Sequence, residues 1–98
     1  MNVDWRITIT RSLLKELKRR GIASRIIGKL RELNQALDRE SKRTLEVFMR
    51  EPIIFEIEGF KVRRLRIGDY RLFYIIDHER KLIIFFDIKP REKAYRRR

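Results

Sequence analysis

The stretch "FKVRRLRIGDYRLFYIIDHERKLIIFFDI", Phe60 to Ile88, decides how this chain folds. Up to Ile67 and again from Tyr70 the apolar positions recur every second residue, the repeat of a β-strand, and Gly68-Asp69 between them is hairpin chemistry. A second break, "DHER", separates the run ending at Asp77 from "KLIIFFDI". Both of these last runs are apolar on two faces. Tyr70, Leu72, Tyr74 and Ile76 alternate with Arg71, Phe73 and Ile75, and Leu82, Ile84, Phe86 and Ile88 alternate with Ile83 and Phe85. Strands of that kind belong in the middle of a sheet. Upstream, "IIFEI" and the Gly59 turn add one more strand.

Working outward, "VDWRITIT" alternates Val3, Trp5, Ile7 and Ile9 with polar residues and predicts a first strand. "RSLLKELKRRG" sets Leu13, Leu14 and Leu17 on one side of a short helix, with Ser12 as N-cap and Gly21 as stop. Ile26, Ile27, Leu30, Leu33 and Leu37 recur at spacings of three and four, the mark of a second, amphipathic helix. That helix either continues through "SKRTLEVFMRE" or gives way to a third one capped by Asp38 or Ser41, and Pro52 ends whichever forms. The expectation is an α+β fold: a short N-terminal strand, two or three helices, then an antiparallel meander of three to four strands, with the helices on one face of the sheet.

With 98 residues the chain makes one domain with a modest core and a basic tail from about residue 90. Charged residues are 41% of it, against roughly 25% in ordinary soluble domains, a bias found where ion-pair networks support thermophilic proteins. The formal net charge of +12 points to polyanions: nucleic acid first, then an acidic protein or an anionic membrane. There is no cysteine and only one histidine, which excludes thiolate chemistry and disfavours a zinc site. Charges interrupt every apolar run, so neither a signal peptide nor a membrane span is expected, and the expected location is the cytoplasm.

Side chains two apart on a strand share a face. Leu65 and Ile67 nominate the core side of their strand, which turns Arg64 and Arg66 to the other side, and across the hairpin Arg71 joins them. Such a cluster suits phosphate, because guanidinium groups bind its oxygens in pairs and stay charged at any physiological pH. It would equally serve as a solvated row paired with Glu56, Glu58 or Asp69. "KPREKAYRRR" adds Lys89, Arg91, Lys93, Tyr95 and the closing arginines. His78 lies in the "DHER" turn among solvated charges, and Trp5, Phe73, Phe85 and Phe86 read as packing residues. No Gly-rich phosphate loop, HExxH motif or paired-carboxylate site is present.

In order, R-x-R, a Gly-Asp turn, Y-R followed by alternating apolar residues, a hairpin and P-R-x-x-x-Y resemble the C-terminal signature of the RelE/ParE toxin superfamily, specifically its RelE-type mRNA interferases. The likeness is close over about the last forty residues. It implies a toxin that occupies the ribosomal A site and cleaves mRNA without metal or other cofactor, the 2′-hydroxyl attacking the adjacent phosphate, and a RelB-like antitoxin that suppresses it. On that resemblance Arg71, Arg91 and Tyr95 are the catalytic residues. Arg64 stands where some members carry one of two catalytic lysines; the other position is Val62 here, so no residue is assigned as general base. Lys61, Arg63, Arg66, Lys89, Lys93 and Arg96 would hold RNA at the site, and Lys15, Lys18, Arg19 and Arg20 on the first helix would grip ribosomal RNA.

Two other readings fit the composition. A ParE-type relative would inhibit DNA gyrase without nuclease chemistry, and a plain basic module would bind nucleic acid without catalysis.

Overall fold

The computed structural model describes residues 5–90. It contains β1 (Arg6–Ile9), α1 (Arg11–Arg19), α2 (Ala23–Arg39), α3 (Ser41–Arg50), β2 (Ile53–Ile57), β3 (Phe60–Ile67), β4 (Tyr70–Asp77) and β5 (Leu82–Pro90). The strands form one sheet in the order β1-β5-β4-β3-β2, with β1 parallel to β5 and every other pairing antiparallel. The α+β layout expected from the sequence is the one observed, with the two doubly apolar strands inside the sheet.

Turn chemistry sets the meander. Gly68 at φ 59° begins a two-residue hairpin closed by the Ile67–Tyr70 pair, and Glu58 and Gly59, both at positive φ, make the mirror-image turn between β2 and β3. Between β4 and β5 the Asp77 carboxylate accepts from the Glu79 and Arg80 amides, each at 3.1 Å, an Asx-type brace for the four-residue loop.

The helices differ from expectation in their ends. Thr10, not Ser12, caps α1, its hydroxyl accepting from the Leu13 amide at 3.2 Å; β1 stops at Ile9, so the helix begins one residue before Ser12. Gly21, at φ 73°, does end α1: its amide bonds the Lys18 carbonyl and the Ile22 amide the Leu17 carbonyl, each at 3.0 Å, a Schellman arrangement. The third helix is separate. Neither Asp38 nor Ser41 caps it; the chain breaks at Glu40, at φ −138° and ψ 67°, and no side chain bonds the free amides there. Leu37 before the break and Phe48 after it are both buried in the core.

The core lies between the helices and one face of the sheet. Leu13, Leu17, Ile26, Leu30, Leu37 and Phe48 meet Ile67, Leu72, Tyr74, Ile83, Phe85 and Ile88. At its centre Phe48, Tyr74 and Phe85 pack ring to ring, with centroids 4.9–6.3 Å apart, and the Tyr74 hydroxyl donates to the Phe48 carbonyl at 2.5 Å. Burial, and next the negative charge of Glu51, push the Tyr74 phenol above its ordinary pKa, while Arg63 opposes them weakly. Trp5 packs against this core and stacks edge-on with His78, centroids 5.6 Å apart.

Strict alternation fails in two places. In β2, Ile53 pairs with Arg63 but Phe55 with Val62, so the register shifts at Ile54. The second is in β5. Phe73 pairs with Asp87 while Tyr74 pairs with Phe85, so Phe86 is a bulge residue. Ile88, which alternation groups with Ile84 and Phe86, is core instead.

Candidate phosphate-binding face

The face of the sheet turned away from the helices carries the charges that the sequence singled out. Leu65, Ile67, Tyr70, Leu72 and Ile88 belong to the core side. Their alternating neighbours Arg64, Arg66, Arg71 and Lys89 therefore point outward. Register then aligns them. Arg66 is paired with Arg71 and Arg71 with Lys89, so three cations stand side by side across three strands. In the next row Arg64 is paired with Phe73 and Phe73 with Asp87.

Directly opposed like charges destabilise a sheet. Among the described residues none of the four cations has a carboxylate within 4.0 Å, so the alternative reading, pairing with Glu56, Glu58 or Asp69, does not occur. The Nε of Arg71 is buried and has no hydrogen-bond partner among the described residues. A buried guanidinium nitrogen without an acceptor carries a desolvation penalty that an anion removes.

Two residues expected at this site are elsewhere. Lys61 and Arg63 fall on the helix side of β3, Lys61 opposite Glu56 and Arg63 opposite Tyr74. The Arg63 guanidinium donates to the Glu51 carbonyl at 2.8 Å, so it fastens the end of α3 to the sheet. Each lies an odd number of positions from Arg64, and on a strand that sends it to the other face. Arg91, Lys93, Tyr95 and Arg96 lie outside the described residues. Val62 shares the outer face, paired with Phe55, and is fully buried, so that position supplies packing. His78 is exposed at the far end of β4, seven residues from Arg71 and about 24 Å along an extended strand.

One residue was missed. Period two assigns Asp87 to the core with Ile83 and Phe85, but the bulge at Phe86 turns it to the outer face, exposed beside the cation row. Its carboxylate accepts from the Ile88 amide at 2.8 Å, which fixes its orientation. The signal in the sequence was a lone acid at a strand position that alternation would bury.

Beyond Phe73 the outer face turns apolar, and Ile57, Phe60, Ile75, Ile84 and Phe86 line a shallow groove of about 270 Å³. On α1, Arg19 and Arg20 both bond Glu16, at 2.6 and 2.7 Å, which holds the Glu16 carboxyl below its ordinary pKa. Lys15 and Lys18 make no ion pair among the described residues.

Comparison with known proteins agrees with this architecture. The sequence model of the ParE toxin of the type II toxin-antitoxin system parDE matches residues 7–95. A chain in the crystal structure of the archaeal RelE-RelB complex from Pyrococcus horikoshii OT3 superposes with a TM-score of 0.61 at 23% identity, covering 94% of this chain and 100% of that one. A chain of the RelBE2 toxin-antitoxin complex from Mycobacterium tuberculosis gives 0.57 at 22% identity, covering 95% and 98%. No curated protein sequence matches. With the ParE toxin family model matching residues 7–95, nearly the whole domain, this chain belongs to the RelE/ParE superfamily of type II toxin-antitoxin toxins.

Proposed function

We propose that this toxin is a ribosome-dependent, metal-independent endoribonuclease that cleaves mRNA in the A site. The observation that supports it most is the row Arg66–Arg71–Lys89, three cations in register with no carboxylate partner among the described residues, beside Arg64. A phosphodiester bound on that row meets fixed positive charge where charge grows during the reaction. The 2′-oxygen forms a bond to phosphorus, the bond from phosphorus to the 5′-oxygen breaks, and a cyclic phosphate and a 5′-hydroxyl result. Arg71 stabilises the charge on the pentacoordinate phosphorus, and Arg64 and Arg66 hold the flanking backbone. Arg91 and Tyr95 join the reaction as the superfamily resemblance implies, Tyr95 relaying a proton. Asp87 is the carboxylate that register places beside the cation row, whereas Asp77, on the same face, lies at the far end of β4, and Asp87 is the candidate to take the 2′-hydroxyl proton. So sparse an acid-base set acts slowly on free RNA, which gives the ribosome the task of setting the in-line geometry.

The partner in this reading is a RelB-like antitoxin; both solved relatives are toxin-antitoxin complexes containing a RelB partner. A second reading is inhibition of DNA gyrase, favoured by the ParE description of the matching family.

The test is primer extension on mRNA from programmed ribosomes incubated with the toxin, with Arg71→Ala, Arg66→Ala and Asp87→Asn alongside. New 5′ ends within the A-site codon that are lost in Arg71→Ala are expected. Intact mRNA, together with inhibited supercoiling by gyrase, would replace this reading with the second.

A further inference from the structure

The two edges of the sheet are treated differently. At β1 the outward-facing amide of Ile7 donates to the Asn34 side chain of α2 at 2.8 Å, so a helix closes that edge. At β2 nothing among the described residues does so: the strand pairs with β3 alone. Every residue of β2 is exposed, with Ile53 at 48%, Phe55 at 47% and Ile57 at 41%. An open, apolar edge strand is a template for another strand.

Charge identifies what fits there. The chain has 26 Lys and Arg in 98 residues, yet residues 51–60, "EPIIFEIEGF", contain none and contain three glutamates. For an acidic partner this is the least attractive edge of the molecule. For a second copy of a protein with net charge +12 it is a place where approach is not opposed by clustered like charge.

We propose that β2 is a dimerisation edge, paired antiparallel about a twofold axis with β2 of a second copy. The contact is isologous, so Phe55 and Ile57 on the outer face, and Ile53, which the register shift beside it turns to the helix side, each lie along an apolar edge that meets its own copy. Antiparallel pairing also brings Glu58, just beyond the end of β2, next to the end of the partner copy where α3 delivers Arg50. Arg50 is an exposed cation whose one ion-pair contact among the described residues is to Glu46, at 3.8 Å. Closure at β1 by Asn34 stops growth at two copies, giving a ten-stranded sheet and no fibre. A twofold axis perpendicular to the sheet keeps both sets of helices on one side and both cation rows on the other. The proposal therefore goes beyond the nuclease reading and does not depend on it.

Sedimentation equilibrium of the purified chain, from about 1 to 200 µM because a small interface is a weak one, tests it. The expected result is a monomer–dimer equilibrium that Ile53→Lys/Phe55→Lys abolishes while circular dichroism and Tm stay those of wild type, as fits side chains this exposed. Arg50→Glu and Glu58→Lys should each raise the dissociation constant about 3- to 10-fold, and the double exchange should return it toward wild type. A chain that stays monomeric throughout the range overturns the proposal and assigns the edge to another protein. So does a dimer indifferent to the lysine pair.

Discussion

Neutralising one end of the cation row should make the protein more stable, although charge at that row is what RNA binding needs. Lys89 is exposed and stands opposite Arg71 alone. Cross-strand pairs are worth about 0.2–1 kcal/mol and like charges cost similar amounts, so Lys89→Gln should relieve about 0.5 kcal/mol. For a domain of this size 1 kcal/mol moves Tm by about 4–8 °C, so the gain is about 2–4 °C. Lys61→Gln provides the inverse control. Lys61 sits on the same sheet opposite Glu56, and its neutralisation should lower Tm by a similar amount. Both effects should appear in melts at about 0.01 M salt, where the screening length is near 30 Å, and fade at about 1 M, where it is near 3 Å. Inorganic phosphate should raise the Tm of wild type more than chloride does at equal ionic strength, and raise that of Lys89→Gln less, because only an anion seated on the row stabilises the folded form by binding it. A Lys89→Gln protein that melts lower than wild type at low salt, or whose gain persists at 1 M, would refute the reasoning: the row would then be neither strained nor electrostatic.

Other perturbations follow from the core and caps. Tyr74→Phe removes the donor to the buried Phe48 carbonyl and should cost about 1–3 kcal/mol in urea melts. It should also flatten the alkaline limb of the stability curve. The Tyr74 pKa is raised in the folded state, so its contribution is full below the ordinary value of 10.0 and is lost as pH rises beyond it. Gly21→Ala meets no atom within 4 Å, so its whole effect comes from holding alanine at φ 73°, about 1 kcal/mol read as a lower urea midpoint. Glu16 has a lowered pKa, and its support of α1 is present above its ordinary value of 4.5 and lost as pH falls through the folded value. The midpoint difference between wild type and Glu16→Gln should therefore be larger at pH 7 than at pH 3.

The elements were legible in the sequence because two local periodicities, of two and of three to four, carry most of the information about which face is buried. Arg64, Arg66 and Arg71 were placed correctly on one face by that rule alone. It failed where the structure inserts a residue. A bulge at Phe86 has no Gly or Asn to announce it, and it exchanges the faces of Asp87 and Ile88. The break at Glu40 was legible only as one of two alternatives, since Asp38 and Ser41 marked a possible helix start, neither caps it, and no proline or glycine lies nearby. Sequence adjacency misled at Lys61 and Arg63, where proximity along the chain was given weight over the alternation that separates them from Arg64.

Gyrase inhibition and RNA cleavage can share a sheet because the fold and the chemistry occupy different faces of the same strands. The core face of β3, β4 and β5 is filled by Ile67, Leu72, Tyr74, Ile83, Phe85 and Ile88, and changing any of them disturbs the packing of the helices. Apart from the buried Val62 and Phe73, outward positions in the same strands carry no such load. That is why similarity at 22–23% identity can preserve a sheet without fixing an activity. What separates the two activities must then lie in residues that the core does not require. In this chain those include Arg64, Arg66, Arg71, Asp87 and Lys89, and of these Arg66, Arg71 and Lys89 stand as directly opposed like charges, an arrangement that costs stability. A sheet that only displayed a protein-binding surface would gain by replacing Arg71, whose Nε is buried without a partner among the described residues. An anion seated beside it would complete that guanidinium, which is the contact the proposed phosphodiester site requires.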